Sequence, residues 1–229
     1  MPVISFVSSK GGVGKTTSAL LVASILAEHA NTHVTLVDAD PNKPLLKWSE
    51  LPGRPETITV VADEAESRIV DIIDEASTSS KFVIVDLEGA ATSRVSNAIS
   101  MSNLVIIPLQ GSGLDADQAV KTIRLILNAG KSQRRKIPYR VLFTRMPPII
   151  NSNNMKAIRS TLEAADVPIM ETALIEREAF KAVFLHGGTL TGLDPKAVSG
   201  TDKALRNATA VTKEILELLK TLGNQAEAA

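Results

Sequence analysis

The chain has 229 residues, 44% of them hydrophobic and 22% charged, enough for one large buried core or at most two small ones. Basic and acidic residues both number 25, so the formal net charge is zero, which excludes a uniformly basic nucleic-acid coat and an acidic disordered tail. No cysteine is available for a disulfide framework, a zinc–thiolate site or an iron–sulfur cluster, and 3% aromatic residues argue against stacking platforms for single-stranded nucleic acid. Three scattered histidines do not suggest a histidine-built metal site. The first residues lack a basic leader, and no run approaches the roughly 18 apolar residues of a membrane span. A cytoplasmic protein is expected.

In chain order, an apolar run at 3–7 reads as a strand and 16–30 as a helix. Strands follow at 34–37 and 58–61, a helix at 64–76, and strands at 82–85 and 104–107. A helix at 115–129, a strand at 141–143 and a helix at 153–165 complete the alternation. The strand runs are almost continuously hydrophobic, as expected of strands buried on both faces of a parallel sheet. The pattern therefore predicts a doubly wound α/β fold with helices on both sides of a mostly parallel sheet. The Gly-, Thr- and Pro-rich stretch 186–200 reads as a long surface loop. A last helix over about 202–222 places Val211, Ile215, Leu218, Leu219 and Leu222 on one face. Gly223 is expected to stop it, leaving one domain over 1–222 and a frayed tail at 223–229.

The chemistry concentrates after the first strand, in Ser8-Ser9-Lys10-Gly11-Gly12-Val13-Gly14-Lys15-Thr16-Thr17. A glycine-rich turn between a strand and a helix can fold its N–H groups around phosphate oxygens, with the positive end of the helix dipole behind them. Lys15 then serves the β- and γ-phosphates, and the Thr16 hydroxyl is placed for Mg²⁺. Ser9 stands where the standard pattern has glycine, and a second lysine, Lys10, opens the loop. Further along, Asp38 and Asp40 alternate at the end of the second strand and so point to the same side. Lys81-Phe82-Val83-Ile84-Val85-Asp86 is an apolar strand ending in an acid, with Asp86 placed to hold Mg²⁺. After it, Gly89 can offer its N–H to the γ-phosphate, and Glu88 reads as a polar residue of the same turn or an acid at the start of a helix, rather than as a general base. Asp115 reads as an N-cap or first-turn acid.

Lys-Gly-Gly-Val-Gly-Lys-Thr-Thr resembles the deviant Walker A box of the ParA/MinD family of P-loop ATPases. The resemblance extends through the Asp38-Ala39-Asp40-Pro41 segment, the strand ending in Asp86, and the segment Leu142-Phe143-Thr144-Arg145. It implies ATP and Mg²⁺ as cofactors, with nucleotide bound by Lys10, Gly11, Gly12, Val13, Gly14, Lys15, Thr16 and Thr17, by Gly89, and by Arg145 beside the base. Thr16, Asp38 and Asp86 would serve the metal and Asp40 would position the attacking water. Lys10 and Lys15 would join Asp40 in catalysis, Lys10 by reaching the partner's phosphates across a nucleotide-sandwich homodimer. Without an Asn-Lys-x-Asp box, ATP is expected rather than GTP.

Asp40-Pro41-Asn42-Lys43-Pro44-Leu45 with Trp48, and Ile175-Glu176-Arg177-Glu178-Ala179-Phe180, look most similar to short plasmid-borne members of that family: single-domain partition ATPases and the VirC-type ATPases of conjugative transfer. No helix-turn-helix precedes the P-loop in this sequence, so the operator-binding subtype is not expected. The resemblance implies a slow, partner-stimulated ATPase that dimerises with ATP and binds duplex DNA without sequence preference. It would work with a ParB-like or transfer-complex protein and associate with the nucleoid when ATP-bound. The zero net charge conceals a split that suits this: residues 1–130 carry 10 basic and 15 acidic side chains, and residues 131–229 carry 15 and 10. Candidate DNA contacts are the cluster Lys131, Arg134, Arg135, Lys136, Arg140 and the segment Lys196, Lys203, Arg206, Lys213. Glu214, Glu217 and Glu227 on the last helix argue against binding an anionic membrane. The competing expectation is an ATP-dependent metabolic enzyme of the same fold, of the dethiobiotin synthetase or cobyrinate amidase type. A nitrogenase-type reductase is excluded by the absence of cysteine.

Overall fold

Among the residues described by this computed structural model (1–28, 32–64, 68–111, 113–147 and 153–227), six strands form one parallel sheet. They are β1 (Val3–Phe6), β2 (Val34–Ala39), β3 (Ile58–Ala62), β4 (Phe82–Leu87), β5 (Leu104–Leu109) and β6 (Tyr139–Phe143), in the order β3-β2-β4-β1-β5-β6. Successive side chains leave a strand on opposite faces, so each strand feeds two cores. Ile4, Phe6, Leu36, Ile84, Leu104, Ile106 and Leu142 pack on one side, while Val3, Val37, Val83, Val85, Val105, Ile107 and Phe143 pack on the other. This two-sided burial is why the strands read as unbroken apolar runs. The doubly wound α/β fold expected from the sequence is the one observed.

Helix α1 (Lys15–Glu28) is buried along almost its whole length, between the sheet and the C-terminal helix α8 (Thr201–Glu227). Helices α3 (Ile69–Ser79), α4 (Ser93–Met101), α5 (Gly113–Ser132) and α6 (Asn153–Ala164) contribute to the opposite core. Three helices escaped the sequence reading: α2 (Pro44–Ser49), α4 and α7 (Glu178–His186). Each is short and depends on outside contacts. α4 is capped by Thr92, whose hydroxyl accepts the Val95 N–H at 3.4 Å, and its last carbonyls are held from a distance: Arg135 donates to Ser100 O at 2.7 Å and Ser102 O at 2.8 Å.

Other expectations need correcting. α3 begins at Ile69 rather than 64; residues 65–67 lie outside the described residues. α1 ends at Glu28 as described, and 29–31 likewise lie outside. The stretch 186–200 is a surface loop only in part: His186 and most of 191–200 are exposed, but Thr189, Leu190, Leu193 and Val198 are buried, and Leu190–Gly192 form a 3-10 turn. Its glycines allow close backbone packing, since a Cβ on Gly187 (φ +81°) would meet Pro52 O at 2.4 Å. Finally, α8 runs through Gly223 to Glu227. Gly223 does not take the left-handed conformation that would end the helix, and a single helical glycine costs only about 1 kcal/mol among good helix formers.

Candidate functional site

β1 ends at the centre of the sheet, where neighbouring connections run to opposite sides, and such a crevice at the strands' carboxyl ends is where open α/β sheets bind ligands. The turn from β1 to α1 fills it. Gly12 and Gly14 adopt φ of +74° and +93°, conformations that side-chain-bearing residues rarely take. The loop's carbonyls are held by the protein itself. Gly12 O accepts from Gln110 Nε2 at 2.9 Å, Val13 O from Thr144 Oγ1 at 2.6 Å, and Gly14 O from Ser18 N at 2.9 Å. Carbonyls turned into the protein give the polarity an anion cradle requires. Lys15 is only 6% exposed, and its ammonium lies 3.4 Å from Lys10 O. Ser9, the departure from the usual glycine, has a structural partner in α5: its hydroxyl lies 2.9 Å from Thr122 Oγ1, which also accepts the Ser9 N–H at 3.1 Å.

The acids meet this loop from β2 and β4, whose register pairs Asp38 with Asp86. Thr16 Oγ1 donates to Asp86 Oδ2 at 2.6 Å, while Asp86 Oδ1 is buried without a hydrogen-bond partner. Burial above all, reinforced by the Asp38 and Asp40 carboxylates, pushes the Asp86 carboxyl up to about 7 against the pull of Thr16 and Lys15. A buried carboxylate with one unpartnered oxygen beside a threonine hydroxyl is a hard-oxygen donor set that fits Mg²⁺. Asp38 has a further task. Its Oδ2 accepts the Leu45 and Leu46 N–H groups at 2.8 and 2.9 Å, supplying α2 with the cap that Lys43, in a left-handed conformation, does not. Burial raises the Asp38 carboxyl, and these amides and Lys43 draw it back. Asp40 Oδ1 accepts from both the backbone N–H and the side-chain amide of Asn42, at 2.8 and 3.0 Å.

Two adjoining clefts complete the site. One, of about 520 Å³, is walled by the loop, Asp40, Pro41, Asn42, Glu88, Gly89 and Ala90. Gly89 lies against the loop, where a Cβ would stand 3.5 Å from Ser8 O. Glu88 lies ahead of α4, in the turn after β4, and accepts from the hydroxyl of the helix's N-cap, Thr92, at 2.8 Å. The other cleft, of about 250 Å³ and mainly apolar, continues from Gly14, Thr17 and Arg145 to Ile175, Arg177, Phe180 and Phe184. Arg145 borders both clefts, on a backbone with φ of +51°. The sequence reading missed α7 as a wall of the site, and also Gln110, Thr122 and Asn42. Only the Asp-Pro-Asn spacing carried a local signal, since an Asp carboxylate favours accepting the backbone N–H two residues on.

Comparison with known proteins decides the family. The sequence model of the VirC1 protein family matches residues 1–228. The chain belongs to the VirC1 family of ParA-type P-loop ATPases. The chain is 38% identical to protein ParA of Rhizobium radiobacter over 223 residues, covering 96% of this chain and all of that protein. It is 30% identical to protein virC1 of Rhizobium rhizogenes over 233 residues, covering 99% of this chain and all of that one. An ATP complex of a Cyanothece McdA variant shares the fold with a TM-score of 0.74 at 16% identity, over 94% of this chain and 96% of that one.

The structure also sorts the basic residues of this VirC1-family chain. Arg135 is committed to the end of α4, whereas Lys131, Arg134 and Lys136 are exposed around it. Lys203, Arg206 and Lys213 are exposed along α8. Glu214, counted above as surface charge, accepts the Glu171 and Thr172 N–H groups at 2.7 and 2.8 Å. Among the described residues, no helix is long and apolar enough to cross a membrane.

Proposed function

We propose that this chain is an ATP-driven switch that positions plasmid DNA or a DNA-transfer complex. The observation that carries the reading is the conjunction at the end of β1: a buried lysine and a threonine directly after a glycine-rich turn, the threonine bonded to Asp86 of β4, beside an apolar cleft large enough for a base. ATP would lie across the two clefts, its phosphates on residues 10–17 and Gly89 and its adenine between Arg145 and the α7 side chains. Thr16 and Asp86 would hold Mg²⁺, with Asp38 as the neighbouring supporting carboxylate. Bound there, the ion would neutralise phosphate charge. The full-length family match supports this reading over the carboxylate-activating enzymes.

Asp40 orients the attacking water, and its fixed Asx turn with Asn42 suits orientation better than strong proton abstraction. Hydrolysis is therefore slow and waits for a ParB-like or transfer-complex partner. Two ATP-bound copies face each other, with Lys10 of each serving the other's phosphates. Asp40→Ala is expected to retain ATP binding and accumulate dimer while losing hydrolysis, checked by light scattering in ATP and ADP alongside phosphate release. A wild-type rate in that variant would remove Asp40 from this role.

The dimer associates with the nucleoid in the cytoplasm by binding duplex DNA without sequence preference. Doubling a modest cationic patch doubles the phosphates neutralised, and each contributes about 0.9 to the log–log salt slope. Lys203→Ala with Arg206→Ala, and separately Arg134→Ala with Lys136→Ala, are expected to identify the face. The responsible pair weakens ATP-dependent binding on all sequences alike and flattens the salt slope. Arg135 is left intact because its loss would uncap α4. Equal DNA affinity in ATP and ADP would defeat the DNA-coupled reading.

A further inference from the structure

The proposed nucleotide chemistry leaves one buried ion pair unused. Arg94, the second residue of α4, is 7% exposed and places Nε 2.7 Å from Oδ2 of the fully buried Asp63, just beyond β3. Arg94 also reaches toward the phosphate cleft, with Nη1 3.8 Å from Glu88 Oε1. Asp63 is tied in the other direction as well. Its N–H donates to Asp38 O at 3.0 Å, and its carbonyl accepts from Lys43 Nζ, which also donates to Asp38 O at 3.3 Å. The segment 38–43 and the segment 86–94 approach the phosphate cleft from different strands, yet both are anchored to this one residue. Asp40, Pro41 and Asn42 come from the first, and Glu88, Gly89 and Ala90 from the second.

Stability does not account for such a pair. Taking two charges out of water cancels most of their attraction, and an apolar pair of similar volume commonly serves a core as well. What the pair supplies is placement: the buried Arg94 charge stands 2.7 Å from Asp63 and 3.8 Å from Glu88, as ion pairs without an aligned hydrogen bond from Nε, and so draws acids of both segments toward one point. We propose that Asp63 and Arg94 are positioning residues for hydrolysis, bracing the Asp40 and Glu88 segments in one mutual geometry at the phosphate cleft. Neither touches nucleotide; they act through Asp40, Asn42 and Glu88. The proposal rests on the reading of the site as an ATPase.

The test compares wild type, Arg94→Lys, and the double variant Asp63→Asn with Arg94→Met, by thermal melting, ATP titration and steady-state hydrolysis. The double variant removes both charges and is expected to melt close to wild type and to bind ATP within about threefold of it. Its kcat is expected to fall about tenfold or more, since small misplacements of orienting groups are costly. Arg94→Lys keeps a charge near the two acids but on a narrower head group that does not span both, and is expected to fall between the two. A double variant with wild-type kcat overturns the proposal, as does one that fails to fold or loses ATP affinity in step with kcat, because those results make the pair a structural element. Arg94→Lys at or below the double variant also counts against it. Absence of ATP hydrolysis in the wild type would instead remove the functional reading itself, which separates the two failures.

Discussion

Lys15→Gln is expected to abolish measurable Mg–ATP binding while leaving the fold intact. The Lys15 ammonium stands beside the Lys10 carbonyl, and the residue is almost wholly shielded from solvent. In such a site water does not replace a missing cation, so β- and γ-phosphate charge is left uncompensated. Losing a preorganised charge of this kind costs about 3 kcal/mol or more, a hundredfold or greater loss of affinity. Glutamine keeps much of the aliphatic stem that packs in α1, so melting without nucleotide should change little. Titration with ATP in the presence of Mg²⁺ gives the answer, and unchanged affinity would overturn the assignment of the loop.

Asp86→Asn is expected to move stability and function in opposite directions. Without a cation the wild-type protein holds a buried carboxyl whose Oδ1 has no partner and whose pKa is raised to about 7. A raised folded-state value means that the native protein keeps its proton where the unfolded chain has already released it. Stability attributable to this group is thus greatest at acid pH, falls as pH rises from about 4 to about 7, and is flat above. Asparagine retains an oxygen for the Thr16 hydroxyl but carries no charge. The nucleotide-free variant should therefore melt several degrees above wild type at pH 8, by about 2–4 °C per kcal/mol for a chain of this size. At pH 5 the difference should shrink. The stabilisation gained on adding Mg–ATP should be largely lost, because the donor set for the ion is broken. Lower melting of the nucleotide-free variant at pH 8 would overturn the cost assigned to the buried carboxylate, and an undiminished Mg–ATP gain would show that Asp86 is not the ion's carboxylate.

The strands, the glycine-rich turn, Lys15, Thr16, Asp38, Asp40 and Asp86 were all legible in the amino-acid sequence. Their signals are local: an apolar run buried on two faces, glycines needed where φ is positive, and a hydroxyl and a lysine set by the start of a helix. Residue type and spacing over ten positions carry such information without knowledge of the rest of the chain. The ends and the short helices were less legible. α4 depends on Arg135, 35 positions away, to hold its end, and α2 on Asp38, which lies nearby in sequence but carries no capping signal ahead of a helix begun by Lys43 and Pro44. Gly223 looked like a stop, yet its weak preference gives way within a long helix.

What only the tertiary structure decided is which distant groups share the site. Ser9 meets Thr122, Val13 meets Thr144, and Trp48 donates to Gly188 O, across 113, 131 and 140 positions of sequence. The apolar cleft joins the P-loop to α7, and Asp63 meets Arg94 beside Glu88. These encounters follow from the strand order. β4 inserts between β1 and β2, and β5 and β6 extend the sheet on the far side of β1, so residues remote in sequence converge on the crevice at the end of β1. Individual residues encode the chemistry each can perform; the packing of the whole chain sets the distances at which those groups meet, because burial of two continuous cores fixes the sheet order before any single polar contact can matter.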